Sequence, residues 1–444
     1  MTVSRTISLG FLAVITVGAF LLMLPLSTAD GSWSSIITAL FTSTSAVCVT
    51  GLIVEDTGSY YSPFGQAVIL LLIQIGGLGY MTVTTFLLIL LGRRFGLREK
   101  LAIQQSLDIP GMSGATRLVR SIIAMTLIFE LTGVFCLLPV FLADYGPGYS
   151  LWLAIFHSIS AFNNAGFSLF ADSLMGYAVS VPINLVIPGL IIFGGIGYQV
   201  IMEGFFWFRN RLRGVQECTV FSLNFKIVTS TTIFLLIFGV VAFLATPISH
   251  PDFNGSATAW EHLIFAWSQS VMPRTAGFNT VDYGQMTDTA LFMTIALMIV
   301  GASPGSTGGG IKTTTLRILM ACTKAVLQGK EEVLCYQRQI PMTLIIKAVG
   351  VVFGSGITIV LATTLISWFD PEIEFIRLLF EVVSAFATVG LSTGITAALT
   401  PIGKIIIIGV MYVGRVGVLI LMASILGDPK PTTVNYPEEN LLVG

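Results

Sequence analysis

The sequence contains little charge. Of its 444 residues, 10% are Asp, Glu, Lys or Arg, whereas 54% are hydrophobic and the mean hydropathy is +0.89. A soluble domain usually carries about 25% charged residues, so this composition excludes a soluble globular protein. The net charge of −1 leaves no basic surplus to bind phosphates, and nucleic acid is therefore not an expected partner.

Cysteine and histidine are also scarce. The five cysteines are odd in number and include no Cys-x-x-Cys pair, and the three histidines are too few for a typical zinc site. The sequence also lacks a Ser/His/Asp set and a His-Glu-x-x-His motif. These absences exclude the common catalytic centres, so we expect no enzymatic activity, no resident metal and no covalently bound cofactor.

Long apolar runs dominate the chain instead. A helix needs about 20 apolar residues to cross a bilayer, and eight runs reach that length. The runs cover residues 6–25, 63–91, 118–142, 181–207, 227–247, 288–322, 343–368 and 401–426. Between the members of each pair lies a shorter amphipathic stretch of about 12 residues, which is typical of a re-entrant helix. These stretches cover residues 33–46, 150–162, 259–272 and 373–386. The runs lack the alternation of a β-barrel and predict an all-α polytopic membrane protein surrounded by lipid.

Positive charge is concentrated on one side of the predicted membrane. Of the 22 Lys and Arg residues, all but four lie near the N-terminus, after the second, fourth and sixth runs, or in the C-terminal tail. The exceptions are Arg274, Arg377, Lys404 and Arg415. The positive-inside rule then places both termini in the cytoplasm and lets the short helices enter from outside. We therefore expect a multi-pass protein of the plasma membrane.

A fourfold internal repeat organises the chain. After each short stretch comes a turn of small residues that ends in glycine, and the interval between successive turn glycines is nearly constant. The turns are Val49-Thr50-Gly51, Asn164-Ala165-Gly166, Thr275-Ala276-Gly277 and Thr388-Val389-Gly390. A second small-residue signature follows each of these glycines at a similar distance, beginning at Gly76, Gly194, Gly301 and Gly414. We place the repeats at residues 1–92, 93–208, 209–330 and 331–426, followed by a tail at 427–444.

Each repeat predicts a helix, a re-entrant helix, a turn and a second helix, and so crosses the membrane twice. An even number of crossings leaves all four repeats parallel, related by an axis along the membrane normal rather than inverted. We therefore expect a pseudo-fourfold fold in which eight spans and four re-entrant helices surround a central pore, with the four turns meeting on its axis.

The turns are suited to main-chain chemistry. A cation that loses its water needs oxygens in exchange, and rings of backbone carbonyls can supply them. Aiming successive carbonyls at one axis requires unusual φ angles and close backbone approach, both of which are easiest at glycine. The three residues of each turn are therefore the candidate ion-binding site. The alternative is that the four glycines only cap the re-entrant helices.

The sixth run is interrupted by a stretch rich in glycine. It comprises Gly301, Ala302, Ser303, Pro304, Gly305, Ser306, Thr307, Gly308, Gly309 and Gly310. Such a stretch cannot continue an unstrained helix, and backbone freed at membrane depth must find water or protein partners. Its position after the third turn, in one repeat only, makes it a candidate gate; a passive kink between helices is the alternative. A phosphate-binding loop is excluded because Ile311 separates Gly310 from Lys312.

Arg415 is a lone charge inside the last run. It stands in the fourth repeat where Gly77 and Gly195 stand in the first two. A charge at mid-span costs about 2.5–3.5 kcal/mol on insertion scales, so this side chain should face the interior of the bundle. We expect it to hold the interrupting stretch or to repel a cation. An ion pair with a carboxylate is the alternative.

At these turns, and at residues 158–167, 273–279 and 301–310, the chain resembles the superfamily of potassium translocators that includes the Trk, Ktr and plant HKT proteins. The resemblance extends from about residue 6 to residue 426. Trk proteins carry two further helices before the first repeat, whereas in this sequence the run at 6–25 alone precedes the first predicted pore helix. The membrane subunit of Ktr-type systems is therefore the more similar type.

The resemblance implies a potassium-translocating pore in which the four turns form the filter and the interrupting stretch the gate. It implies K⁺ as the transported ion, Na⁺ as an activating or symported ion, and a homodimer on a cytosolic ring of nucleotide-binding regulatory subunits. All four glycines are present, whereas a serine at the first would imply sodium permeation in this superfamily. Only Thr388-Val389-Gly390 matches the Thr-Val-Gly core of tetrameric potassium channels, so a sodium or ammonium permease of the same architecture is the alternative.

Overall fold

The structure is a computed structural model of the 444-residue chain. It describes residues 3–79, 82–83, 115–214, 220–246 and 258–427. The predicted boundary between the first two repeats lies outside these residues. The end of the run at 63–91 and nearly all of the predicted tail also lie outside them.

Helices make up almost all regular structure in the described part of the chain. They are α1 (Val3–Met23), α2 (Ile36–Cys48), α3 (Thr57–Tyr60), α4 (Pro63–Leu78), α5 (Ala115–Asp144), α6 (Pro147–Phe162), α7 (Val181–Ile196), α8 (Tyr198–Leu212), α9 (Leu223–Ala245), α10 (Ala259–Val271), α11 (Asp288–Ile299), α12 (Thr313–Leu327), α13 (Met342–Phe369), α14 (Phe375–Phe386), α15 (Pro401–Val416) and α16 (Val418–Leu426). The short strands β1 (Leu334–Cys335) and β2 (Arg338–Gln339) form an antiparallel pair.

Each repeat contains a first helix, a pore helix and a second helix, in the predicted order. The first helices are α1, α5, α9 and α13, the pore helices are α2, α6, α10 and α14, and the second helices are α4, α7, α11 and α15. The pore helices begin and end within three residues of the predicted re-entrant stretches. The prediction of re-entrant helices between pairs of apolar helices is therefore confirmed.

Contacts between repeats close a ring. The second helix of each repeat packs against the pore helix of the next: α4 against α6, α7 against α10, α11 against α14, and α15 against α2. The last contact returns to the first repeat, so the four repeats surround one axis. The two ends of the described chain meet on one face of the ring, where Arg5 Nε donates a hydrogen bond to the Ser424 carbonyl at 2.8 Å. The structure thus has the predicted pseudo-fourfold plan.

Small residues bring the first helices close to the pore helices. In three repeats a pore-helix serine donates to a carbonyl of the first helix: Ser43 to Ile15 at 2.7 Å, Ser158 to Glu130 at 2.6 Å and Ser270 to Leu236 at 2.7 Å. The first helices carry Gly18, Gly133 and Gly239 at these crossings, where a Cβ would lie 2.2–2.5 Å from the serine oxygen. Glycine is therefore required for this helix approach.

The second helices depart from the predicted continuous spans. The pairs α7–α8 and α15–α16 bend by 104° at Gly197 and by 96° at Gly417, and α4 ends at Gly79. The φ angles at Gly197, Gly417 and Gly79 are +95°, +88° and +78°, a region in which glycine ends helices without strain. The spans predicted at 181–207 and 401–426 are thus bent pairs of helices, and the expectation that only one repeat is interrupted is wrong.

The first helices are the unbroken spans of the fold. Within the described residues, α1, α5, α9 and α13 each contain a stretch long and apolar enough to cross a membrane alone. The two bent pairs meet the same criterion only when their halves are joined, and α4 and α11 are shorter apolar helices. All four second helices therefore stop or bend at the second small-residue signature, which leaves irregular backbone next to the central axis.

Candidate functional site: four turns on one axis

The four turns that follow the pore helices, here called axial turns 1 to 4, share one backbone conformation. They comprise residues 49–51, 164–166, 275–277 and 388–390. The φ angle is +51° to +60° at the first residue of each turn and +69° to +93° at its glycine, and it is not positive at the middle residue. Alternating the sign of φ lets successive peptide groups face one side of the chain.

The first residues of the axial turns are strained. These are Val49, Asn164, Thr275 and Thr388, and none is glycine. A positive φ is unfavourable for β-branched residues, and such strain persists only where the surrounding structure enforces it. In axial turn 1, the residue that caps the pore helix is Val49, two positions before Gly51. The caps of the other pore helices, Asn163, Met272 and Ala387, also precede their glycines.

The axial turns approach each other so closely that a side chain would clash at each glycine. A Cβ placed on Gly51 would lie 2.5 Å from the Ala165 carbonyl oxygen, and one placed on Gly166 would lie 2.8 Å from the Ala276 oxygen. A Cβ on Gly277 would lie 2.5 Å from the Val389 oxygen, and one on Gly390 would lie 2.0 Å from the Thr50 oxygen. Each glycine thus faces the middle carbonyl of the next turn, and the fourth faces the first. The order is cyclic, so the four turns form a closed ring of backbone around the axis.

Two hydroxyl groups that the sequence analysis missed fix this backbone. Ser45 Oγ accepts from the amide of Gly51, and Ser384 Oγ accepts from the amide of Gly390, each at 3.1 Å. Both serines lie on pore helices six residues before the glycine. That offset repeats at Ser160, which donates to the Phe167 carbonyl at 2.8 Å. A search for polar residues at a fixed distance before each glycine would have found them.

The intramembrane loop, residues 301–310, lies against the same ring. Three of its amides donate to other repeats: Ser303 to the Gly195 carbonyl at 3.0 Å, Thr307 to the Gly194 carbonyl at 3.2 Å and Gly309 to the Thr388 hydroxyl at 3.0 Å. A Cβ on Gly308 would lie 2.3 Å from the Thr275 hydroxyl, and a Cβ on Gly309 would lie 2.5 Å from the Thr388 hydroxyl. The loop therefore touches axial turns 3 and 4 at the end where the pore helices finish.

Arg415 connects the loop to the first repeat. It lies near the end of α15, where its Nη1 donates to the Thr307 carbonyl and its Nη2 to the Gly76 carbonyl. Among the described residues its partners are backbone oxygens rather than a carboxylate. The loop and Arg415 together contact all four repeats.

The ring offers oxygen ligands from the main chain. Within the described ranges, no three His, Cys, Asp or Glu side chains come together as a metal site. Carbonyl oxygens replace the hydration shell of an ion that passes through, whereas a resident metal is usually held by side chains. The ligands that the ring itself can supply are therefore main-chain oxygens.

Membrane helices arranged around four re-entrant turns on one axis define a pore-loop transport protein. The family model described as "TrkH: Cation transport protein" matches residues 4–430, and the chain belongs to this family. Members of this family transport cations, which confirms the expectations of a multi-pass membrane transporter and of a protein that is not an enzyme.

Individual relatives match over almost their whole length. The chain is 38% identical to Ktr system potassium uptake protein B of Bacillus subtilis, over 100% of this chain and 97% of the relative. It is 39% identical to the protein of the same name in Vibrio alginolyticus, over 99% and 94%. It is 36% identical to the potassium/sodium uptake protein NtpJ of Enterococcus hirae, over 99% and 97%.

The fold is also similar to a solved structure. The crystal structure of the potassium transporter TrkH from Vibrio parahaemolyticus matches with a TM-score of 0.71 and 19% sequence identity. The match covers 95% of this chain and 84% of that chain. At this identity the similarity confirms the fold alone.

Proposed function

We propose that the protein translocates potassium ions through the membrane along the axis of the four turns. The observation that carries this proposal is the closed ring, in which each turn glycine faces the middle carbonyl of the next turn. Two relatives that match the whole chain are named potassium uptake proteins, and this supports K⁺ as the transported ion. K⁺ is then the substrate, with no bound cofactor.

In this proposal the axial turns are the selectivity filter. Carbonyls of residues 49–51, 164–166, 275–277 and 388–390 take the place of water around the ion. The shared φ pattern supports this role because it lets carbonyls of one turn face the same side. The four turns differ in sequence, so the rings they form are unlike those of a channel with four identical subunits.

The intramembrane loop and Arg415 form the gate in this proposal. The contacts of the loop with Thr275 and Thr388, at the end of the axial turns where the pore helices finish, support an obstruction there. A few hydrogen bonds hold the loop, so a regulatory signal worth a few kcal/mol can shift it to a second arrangement. A passive kink would have no such effect on ion flux.

The proposal also covers the protein's partner subunits and its orientation in the membrane. We propose a homodimer in the plasma membrane, with both termini cytoplasmic, that works with a ring of cytosolic nucleotide-binding regulatory subunits. The relatives are named as members of a "Ktr system", which supports a membrane component that works with other subunits. The excess of Lys and Arg between repeats supports the orientation. Na⁺ acts as an activator.

A sodium or ammonium permease is the second candidate function. One relative is named a potassium/sodium uptake protein, which favours sodium as a further substrate. In addition, only axial turn 4 has the Thr-Val-Gly sequence. Four unlike turns offer fewer equivalent carbonyl rings than four identical ones, and selection against Na⁺ is then weaker.

Ion uptake by the purified protein in proteoliposomes tests both candidates. With an inside-negative potential, we expect K⁺ uptake above that of protein-free vesicles, with weak competition from external Na⁺ or NH₄⁺. Uptake of Na⁺ or NH₄⁺ that equals or exceeds that of K⁺ would favour the second candidate. A protein that is correctly folded but moves none of these ions, with or without a cytosolic partner, would contradict the proposal.

A further inference from the structure

Every pore helix carries, at an equivalent position, a buried polar residue that contacts the chain beyond the axial turn. These residues are Thr42, His157, Gln269 and Glu381, and they lie eight or nine residues before the turn glycine. Thr42 is 2% exposed and the other three are 0% exposed. Four chemically different side chains therefore occupy equivalent positions behind the ring.

Their partners all lie after the turn glycine. In repeat 1, Thr42 Oγ1 accepts from Tyr61 Oη at 3.0 Å, and in repeat 2, His157 Nε2 lies 3.0 Å from Ser168 Oγ. In repeat 3, Gln269 Nε2 donates to Thr280 Oγ1 at 3.2 Å, and in repeat 4, Glu381 Oε2 accepts from Ser392 Oγ at 2.8 Å. Gln269 also accepts from Tyr283, and Glu381 also accepts from Thr396. In repeats 2, 3 and 4 a partner lies two or three residues beyond the glycine.

The chemistry of two contacts is fixed by their surroundings. His157 Nδ1 lies 2.8 Å from the Leu153 carbonyl, which can only accept, so Nδ1 carries the hydrogen. In the neutral ring Nε2 is then an acceptor, and Ser168 donates to it. Glu381 accepts two hydroxyl hydrogens, one at each carboxylate oxygen. Removing either partner would leave a buried polar group unpaired.

The neighbouring residue on the same helix has a different partner. In three repeats the next residue is a serine, Ser43, Ser158 or Ser270, which bonds to the first helix instead. Each of these pore helices thus has one hydrogen bond that holds the helix in the bundle and an adjacent one that holds the chain beyond the turn. Of these two kinds of bond, the second is the one that connects the pore helix to the chain beyond the ring.

We propose that Thr42, His157, Gln269 and Glu381 are positioning residues that hold the chain beyond each axial turn, directly behind turns 2 to 4 and ten residues further on in repeat 1, and thereby set how strictly the pore selects its cation. This inference rests on the proposed filter function. Preorganised carbonyls discriminate ions of different size only if their backbone resists displacement, and a rigid second layer supplies that resistance. The four contacts differ in chemistry, so the stiffness of the backbone behind the ring differs from one repeat to the next.

Two serine-to-alanine variants of the full-length protein in proteoliposomes test the proposal. Ser168→Ala removes the partner of His157 and the acceptor of the Phe170 amide, both beyond axial turn 2, whereas Ser158→Ala removes a buried hydrogen bond to the first helix. We expect Ser168→Ala to lower the K⁺/Na⁺ uptake ratio by roughly three- to tenfold, as the loss of one buried hydrogen bond allows. The matched control Ser158→Ala should lower the melting temperature but leave the ratio unchanged.

Further variants separate positioning from general stability. Ser168→Ala should lower the ratio at least as much as His157→Leu, because it also removes the acceptor of the Phe170 amide, and the double variant should add little to Ser168→Ala, because both changes break the His157–Ser168 contact. In repeat 4, Glu381→Leu should lower the K⁺/Na⁺ uptake ratio. Glu381→Gln should keep most of the parent ratio, because the amide oxygen still accepts from Ser392. Melting temperatures that fall in His157→Leu and Glu381→Leu with an unchanged ratio would overturn the proposal.

A reference variant distinguishes this inference from the proposed function. If Gly166→Ser lowers the K⁺/Na⁺ ratio and Ser168→Ala does not, the positioning role is wrong and the filter stands. If neither Ser168→Ala nor any of the four glycine-to-serine variants at residues 51, 166, 277 and 390 changes the ratio, the axial turns are not the filter and both proposals fail.

Discussion

At the scale of single residues, the turn glycines differ in the space around them. A Cβ at Gly390 would lie 2.0 Å from the Thr50 oxygen, whereas at Gly166 the nearest atom would be 2.7 Å away, at the Cα of Gly277. A contact below 3.0 Å forces backbone to move, and more movement is needed where the distance is shorter. Substitution should therefore disturb the ring most at Gly390 and least at Gly166.

Arg415 provides a prediction at the same scale. Its guanidinium donates to the Thr307 carbonyl in the loop and to the Gly76 carbonyl in repeat 1. Arg415→Ala removes both bonds, so the loop should open more readily and K⁺ flux at saturating K⁺ should rise about two- to tenfold, the range of one or two net hydrogen bonds. Stopped-flow or tracer uptake at matched protein density measures this.

Arg415→Lys is the matched control for that change. Lysine keeps the charge but cannot reach two carbonyls with a planar fork, so its flux should lie between those of the parent and of Arg415→Ala. A lysine variant identical to the parent would show that charge alone acts at this position, through repulsion of the cation. A lower flux in Arg415→Ala at normal expression would contradict a role in holding the loop closed.

At the scale of elements, the intramembrane loop is held rather than loose. Most of its residues are buried, and three of its amides donate to other repeats. The run of small residues explains why, because only small side chains fit against the hydroxyls of Thr275 and Thr388. The composition of the loop predicts the break in the helix. It does not predict that the loop amides bond to the carbonyls of Gly194 and Gly195, which are distant in the sequence.

Deleting residues 303–309 tests the role of the loop. The deletion removes the segment that contacts Thr275 and Thr388, so we expect a higher K⁺ flux that no longer depends on cytosolic regulation. Uptake rates at equal surface expression, with and without a cytosolic partner, measure both effects. A deletion variant that folds normally but transports more slowly would favour the passive kink.

The deletion and Arg415→Ala should not be additive. Both changes release the same element, so the double variant should transport no faster than the deletion alone. The comparison requires four uptake rates, those of the parent, the two single variants and the double variant, under one set of ion concentrations. Effects that multiply would place Arg415 in a process independent of the loop.

At the scale of the whole molecule, much of the fold follows from spacing in the sequence. The nearly constant interval between the four turn glycines predicted four parallel repeats, and the cyclic helix contacts confirm that plan. The bends at Gly197 and Gly417 were missed because the apolar runs continue through them. Both bends depend on a positive φ angle at the glycine, and hydropathy carries no information about backbone angles. The polar residues behind the ring were also missed, since their partners depend on tertiary packing.

Membrane potential determines whether transport needs a second ion. An inside-negative potential supplies about 2.3 kcal/mol per charge for each 100 mV. At about 1.4 kcal/mol per tenfold gradient, this sustains roughly a 50-fold accumulation of a monovalent cation. Potential-driven uptake is therefore sufficient, and we expect Na⁺ to change the rate of K⁺ uptake without a fixed stoichiometry.

Flux measurements at controlled potential test that expectation. At zero potential, a Na⁺ gradient should not drive K⁺ against its own gradient into proteoliposomes. Sustained uphill K⁺ uptake under those conditions, with a constant Na⁺:K⁺ ratio, would establish symport and contradict simple activation.

The most direct test of the central claim is the K⁺/Na⁺ uptake ratio of the four single glycine-to-serine variants. If the axial turns form one filter, Gly51→Ser, Gly166→Ser, Gly277→Ser and Gly390→Ser should each lower the ratio, with the smallest loss at Gly166. A side chain at any one position displaces a neighbouring carbonyl and so disturbs the shared ring. A ratio that stays at the parent value in all four variants, at parental expression, would contradict the account.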